Sequence, residues 1–333
     1  MVVALIASFL LYFLGQLFIP LSVKNKLVEV EIPKGVSYRK AFDILKEYGL
    51  VRDRYVMIFL GRLTGLDRKI KAGYYSFWDK EMPVTVLKTL LEGKIIEYTV
   101  TIIEGDTVWD VAEKLEQANI MDQGEFFRLY RNRDFLDSLN IEAPSLEGYL
   151  FPDTYKLPKG VPPEEALRVM VNTLRAHFTA EMYERMFELR FAEKEILTLA
   201  SIIEKEAVVD FERPVISAVY HNRLKKKMRL QADPTSIYGI KDYKTGVTRS
   251  DLRRRTPYNT YIKRGLPPGP IAAPGFSSIM AALYPANVPF LYFVSKDNRE
   301  HYFSRNMEEH ANAVKHYKSI RSTQGKSEQN AEQ

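Results

Sequence analysis

Two glutamates, Glu204 and Glu206, interrupt an otherwise apolar run at residues 199–210, LASIIEKEAVVD. A carboxyl set among apolar side chains has its charged form disfavoured, so its pKa rises and it can hold a proton for a leaving group near neutral pH. Either glutamate is therefore a candidate general acid. The spacing predicts a helix over residues 193–210 in which Ile196, Leu199, Ala200, Ile203 and Ala207 share one face. At roughly 100° per residue the two carboxylates fall on opposite shoulders of that face, so geometry alone does not choose between them. Leu199 and Ile202 flank the Glu206 side and favour its protonated form, while Lys205 points away from the apolar face and is expected in water.

Two downstream stretches supply groups of another kind. Residues 229–240, RLQADPTSIYGI, place Gln231, Asp233 and Thr235 around an Asp-Pro turn. Residues 257–275, PYNTYIKRGLPPGPIAAPG, set Tyr258, Asn259, Thr260 and Tyr261 before a segment stiffened by Pro267, Pro268, Pro270 and Pro274. Amides, hydroxyls and aromatic rings are what a sugar needs, for hydrogen bonds to its hydroxyl and acetamido groups and for contact with its ring faces. Long loops this rich in proline and aromatics are expected to be ordered and functional. The five histidines show no metal-ligand spacing, and no serine-hydrolase elbow, nucleotide loop or dinucleotide fingerprint is present, so no metal site is expected. His221, within YHNRL, is read as structural. With no cysteine, thiolate chemistry and disulfides are excluded.

The elements that must position these residues belong to a mixed α+β chain. Residues 28–51, VEVEIPKGVSYRKAFDILKEYGLV, align without a gap to residues 98–121, YTVTIIEGDTVWDVAEKLEQANIM. Gly35 matches Gly105, Ser37 matches Thr107 and Leu45 matches Leu115, and each copy reads as a strand, a glycine turn and a capped amphipathic helix. Both copies continue through a second helical stretch to a Gly-Tyr segment, GYYSF and GYLF, read as a strand. The Gly105, Asp106, Thr107 and Trp109 of the second copy resemble the opening of a LysM peptidoglycan-binding module, although the short closing strand of that module is not found. Otherwise the copy is a structural domain with Trp109 in its core. The expected division is an N-terminal anchor at 1–23, a first α+β module at 24–96, a second, LysM-like module at 97–175, a C-terminal α+β catalytic domain at 176–321 and a disordered tail at 322–333.

Residues 1–23 carry no charge, and about 20 apolar residues suffice to cross a bilayer. The absence of a basic n-region and of a small-x-small cleavage site favours an uncleaved anchor over a signal peptide. Lys24 and Lys26 follow the span, which by charge alone would keep the bulk of the chain inside. The net charge of +6, from 48 basic and 42 acidic residues, comes with no nucleic-acid motif, and no nucleic-acid partner is expected.

Read in order, ASIIEKE, HNRL, MRLQADPT, YNTY and GLPPGPI resemble the YceG-like family, the membrane-anchored endolytic murein transglycosylases. The resemblance covers nearly the whole chain. It implies cleavage of the β-1,4 bond between N-acetylmuramic acid and N-acetylglucosamine inside nascent peptidoglycan strands, with 1,6-anhydro ends left behind and no cofactor. It also implies a chain anchored in the cytoplasmic membrane with its N-terminus inside and its catalytic domain outside, working beside cell-wall synthesis proteins. By the same resemblance Glu206 is the catalytic acid and base, Asn222, Gln231, Asp233, Thr235, Tyr258, Asn259 and Thr260 line the glycan groove, and Glu204 is then expected to position a neighbour or bind sugar. EGYLFPDTY at 147–155 also matches a family motif and is read as a structural junction. The alternative to an enzyme is a non-catalytic wall-binding scaffold, which would share these loops but need no carboxyl at position 206.

Overall fold

The computed structural model describes residues 1–22, 24–65, 70–296 and 300–331. The chain divides into two compact units, one of residues 1–99 and 156–162, the other of residues 100–155 and 163–333. Residues 97–99 and 156–162 of the segment read as the second module fall in the first unit, and the rest of it in the second.

In the first unit α1 (Val2–Phe18) precedes β1 (Leu27–Ile32), α2 (Tyr38–Glu47), α3 (Arg54–Leu63), β2 (Gly73–Trp78) and α4 (Pro83–Glu92). β1 pairs antiparallel with β2, with Val30 opposite Tyr75 and Val28 opposite Phe77. The alternation of the strands sends Val30, Ile32, Tyr75 and Phe77 inward, where they meet Ala41, Phe42 and Leu45 of α2 and Val86 and Leu90 of α4.

The N-terminal helix is shorter than the expected 23-residue anchor. It has 17 residues, about 26 Å at 1.5 Å per residue, against the roughly 30 Å of a bilayer core. Among the described residues no helix is long and apolar enough to cross a membrane. Pro20 ends α1: the residue before a proline is driven out of the helical region, and Ile19 is extended at φ −98° and ψ 115°.

β3 (Glu97–Thr101) and β4 (Thr154–Pro158), which pair with each other, each run across the division between the units, and the second unit holds α5 (Val108–Gln117), α6 (Gln123–Leu129) and α7 (Arg133–Ser138). The repeat is carried into backbone geometry. Gly35 and Gly105 both sit at φ 81°, in the left-handed region that favours glycine. Ser37 then caps α2 by accepting from Lys40 N–H, and Thr107 caps α5 within a capping box with Asp110. The copies diverge later. GYYSF lies in β2 as expected, but GYLF is a buried turn and β4 begins only at Thr154; Gly148, at φ 78°, lies so close to Pro270 that a Cβ there would come within 2.3 Å of its ring. Trp109 is not a core residue: it is 39% exposed on α5.

The unit continues with α8 (Pro163–Ala176), α9 (Ala180–Leu189), α10 (Glu193–Glu206), α11 (Arg213–Lys225), α12 (Asp233–Ile237), α13 (Arg249–Arg253), α14 (Phe276–Leu283), the antiparallel pair β5 (Tyr292–Ser295) and β6 (His301–Ser304), and α15 (Met307–Ala331). α15 runs on to Ala331 through the polar stretch expected to be disordered, whose last two residues lie outside the described ones. α10 packs against α14, α11 and α12. It is buried on every face from Ile196 to Ile203 rather than on one, so it is a central core helix and not the amphipathic surface helix that its charged ends suggest.

Candidate active site

α10 starts where Glu195 accepts the Ala192 N–H at 2.9 Å, with Glu193 and Glu195 complementing the positive end of the helix. It stops at Glu206, because Ala207 turns extended at ψ 126°. Glu206 is thus the last helical residue, four positions before the end of the predicted helix. There the helix dipole disfavours a negative charge. Ile202 and Ile203, one turn back, are fully buried. The Glu206 residue retains partial access to solvent while its carboxyl is enclosed by protein.

Burial pushes the Glu206 pKa up to about 8, and the negative charge of Asp233 adds to the shift. Opposing it, the Tyr220 hydroxyl donates to Glu206 Oε1 at 3.2 Å, the Asp233 backbone N–H bonds to the carboxyl and the Arg223 guanidinium is near. Tyr220 is fully buried, and its own pKa is held well above the usual range by burial and by the neighbouring Glu206. Asp233 opens α12, and its exposed side chain accepts from the Tyr261 hydroxyl at 2.5 Å.

Arg223 is fixed by donation to Leu291 O and Leu230 O, each at 2.6 Å, and lies over the Tyr292 ring at 5.1 Å from its centre. The result is a carboxyl that is neutral near pH 7, with a phenol and a cation ready to receive it when it ionises. Tyr261 was singled out only as one of the polar and aromatic groups of its loop, and Tyr220 and Arg223 were not among the expected site residues. A signal existed for these two, since they are three apart in YHNRL and share a face of α11, whereas Asn222 lies off that face.

Glu204 lies in a different environment. Its Oε1 accepts from Arg213 at 3.0 Å and its Oε2 from the Gly275 N–H at 2.9 Å, with the side chain 6% exposed. Each oxygen is thus bonded to a protein group, an arrangement that suits positioning of its neighbours. Lys205 is not solvated either: it donates to Gly105 O at 2.9 Å and stands 4.0 Å over the Tyr243 ring.

Of the other expected contact residues, Gln231 and Asp233 are exposed, and Tyr258 is half-buried. Four hold loops. Asn222 donates to Val288 O and Phe290 O, and Asn259, fully buried, donates to the carbonyls of Asp251, Leu252 and Arg254. Thr235 and Thr260 join their hydroxyls at 2.8 Å, and Thr260 Oγ1 accepts the Ala232 N–H at 3.0 Å. These bonds tie the Asp233 turn to the Asn259 loop.

A second buried carboxyl stands apart from the first. Glu147 Oε2 accepts from the Val108 N–H at 3.2 Å and from the Tyr238 hydroxyl at 2.9 Å. Burial raises its pKa to about 8, against those bonds and that of the Gly148 N–H. It joins the start of α5 to the segment after α12, and Tyr238 in turn packs on Trp109 and Tyr258 at centroid distances of 5.5 and 4.5 Å. His221 bonds to Ala282 O at 2.9 Å with its pKa lowered by burial, in keeping with a structural role. Among the described residues no group of three or more His, Asp or Glu side chains could hold a metal ion.

The profile of the YceG-like family matches residues 30–316. The chain belongs to that family. It is 32% identical over 310 residues to an endolytic murein transglycosylase of Bacillus subtilis strain 168, with 87% of this chain and 84% of the relative covered. An endolytic murein transglycosylase of Streptococcus pneumoniae serotype 2 is 27% identical over 332 residues, and there the match spans 59% of the relative's length and 89% of this chain. The crystal structure of a YceG-like protein from Listeria monocytogenes superposes with a TM-score of 0.59 at 32% identity, over 87% of this chain and 99% of that one.

Proposed function

We propose that this chain is a peptidoglycan lytic transglycosylase that cuts within glycan strands, with Glu206 as its single acid and base. One observation carries the reading: a carboxyl that keeps its proton to about pH 8 stands at the partly open end of α10. The relatives named endolytic murein transglycosylases point to the substrate.

The Glu206 proton passes to the glycosidic oxygen as the bond to C1 of N-acetylmuramic acid breaks. The C6 hydroxyl of the same sugar then attacks C1 and returns its proton to Glu206, which closes the 1,6-anhydro ring without consuming water. Ordinary glycosidases need two carboxyls because water or an enzyme nucleophile is handled separately, and an internal nucleophile removes that need. Tyr220 holds the carboxyl in place. Arg223 stabilises the carboxylate formed midway, and the charge of Asp233 returns it to the protonated state. Gln231, Asp233 and Tyr258 are the residues proposed to touch sugar, while Asn222, Thr235, Asn259 and Thr260 keep their loops in register.

The setting proposed for this chemistry is the outer face of the cytoplasmic membrane. α1 carries no charged side chain and exposes apolar residues around its whole circumference, among them Val3, Ile6, Phe9, Leu11 and Leu14. A helix a few ångströms short of a bilayer core is accommodated by local thinning at modest cost.

Mass spectrometry of the products tests the assignment. Incubation with uncrosslinked glycan is expected to give shorter strands ending in anhydromuramic acid, with no added water. Reducing muramic ends would make the protein a hydrolase, and binding without cleavage would make it a scaffold.

A further inference from the structure

We propose that α3 is a second lipid contact, a helix lying along the membrane surface beside α1. The inference rests on the reading of α1 as lipid-embedded and extends it to the folded part of the first unit. α3 has two faces. Its inner face closes on α2, where the Tyr38 hydroxyl donates to Met57 O at 3.1 Å and a Cβ on Gly61 would fall 1.2 Å from that hydroxyl. Its outer face carries Tyr55, Phe59 and Leu63, four residues apart and 66%, 56% and 70% exposed.

This stripe continues the surface of α1. Phe59 meets Phe13 of α1 edge to face, at 6.4 Å between ring centres, and the Tyr12 hydroxyl donates at 3.0 Å to Asp53, the N-cap of α3. Leu17, at the other end of α1, is buried in the core of the unit. α1 is therefore wedged into the unit at its C-terminal end, and α3 starts beside it.

What covers the stripe follows from α1. A partner protein or a second copy covers one face of a helix, whereas residues 2–12 of α1 are exposed on all faces and are mostly apolar, which a lipid phase satisfies. An apolar stripe continuous with that helix reaches the same phase. The flanking charges fit an anionic leaflet: Arg52 and Arg62 are exposed, while Arg54 is paired with Asp43. The Arg54 guanidinium lies 4.8 Å from the centre of the Tyr55 ring, so the aromatic body can enter the boundary while the charge stays among headgroups.

Because the chain has no cysteine, a single reporter can be placed anywhere in the full-length protein. Phe59→Cys carrying an environment-sensitive dye is reconstituted into phosphatidylcholine–phosphatidylglycerol vesicles, with Lys226→Cys as the water-exposed reference. The dye at 59 is expected to emit further to the blue and to lose intensity with lipids spin-labelled near the headgroup, and the dye at 226 to do neither. A vesicle-bound protein whose dye at 59 behaves like that at 226 overturns the α3 contact and leaves the anchor standing. A protein that does not float with vesicles overturns both. Insensitivity to spin-labelled lipid together with self-quenching as protein density rises assigns the stripe to a second copy and overturns the lipid contact.

Discussion

Glu204 and Arg213 form a buried ion pair, 3.0 Å between Oε1 and the guanidinium, with the two side chains 6% and 8% exposed. Arg213 also donates to Ser278 Oγ at 2.5 Å. Breaking a buried pair costs about 3–5 kcal/mol when the remaining charge is left alone, and here Arg213 keeps only the exposed Asp210, at 3.0 Å, so the cost approaches that range from below. Glu204→Ala is expected to lower the unfolding free energy by that order in denaturant titration. Its remaining folded fraction should cleave glycan at close to the native rate. A stable but inactive variant would place Glu204 in the chemistry after all.

Glu206→Gln keeps size and an acceptor for the Tyr220 hydroxyl but cannot carry a proton. Turnover should fall by about 10²- to 10⁴-fold, the usual worth of acid-base catalysis, with glycan binding retained. Retained turnover would remove the carboxyl mechanism.

Turnover should also depend on pH through this group. Activity requires the protonated acid, so it is expected to be flat on the acid side and to decline as pH rises through about 8. Asp233→Asn removes a charge that raises the Glu206 pKa, and it should shift the declining limb toward lower pH. A limb that stays in place would detach Asp233 from Glu206. Tyr220→Phe removes a bond that favours the carboxylate and should move the limb the other way.

Glu147 makes a prediction about stability rather than rate. In the unfolded chain a glutamate titrates near about 4.3, but in the fold this one titrates at about 8, so between those values the folded state holds the extra proton. Its contribution to stability is complete below the unfolded value and is lost as pH rises through 8. Glu147→Gln, which can still accept from Tyr238 and Val108, should flatten the decline in melting temperature between about pH 5 and pH 8, though part of it remains because Glu206 shifts in the same direction. An unchanged slope would mean that Glu147 is ionised within the fold.

The sequence displayed the repeat well, because a glycine turn and a hydroxyl cap are local devices written in consecutive residues, as at Gly35 and Ser37 or Gly105 and Thr107. The distinction between Glu204 and Glu206 was not legible by the same means. Their angles on α10 are equivalent, and what separates them is Arg213 and Gly275 on one side and Tyr220 and Asp233 on the other, brought in from 9 to 71 positions away. The role of Lys205 was hidden for the same reason, since a lysine on an outward arc looks solvated until Tyr243 and Gly105 O are placed beside it. Among the residues expected to contact glycan, burial was not legible, as at Thr235 and Thr260. A buried threonine that ties two loops together and an exposed one that meets a sugar have the same letter.

The assignment of residues 156–162 to the first unit has a consequence for taking the protein apart. The chain passes between the units at 99/100, 155/156 and 162/163, so no single peptide break parts them. A fragment ending at residue 99 lacks the segment whose Lys159 N–H bonds to Ile96 O at 2.9 Å and whose Lys159 ammonium pairs with Glu29. A fragment beginning at residue 100 carries those seven residues without the strands they complete. Protease nicking at one junction should therefore yield pieces that stay associated until denatured, and gene truncation should be less forgiving than the apparent modularity of the repeat suggests.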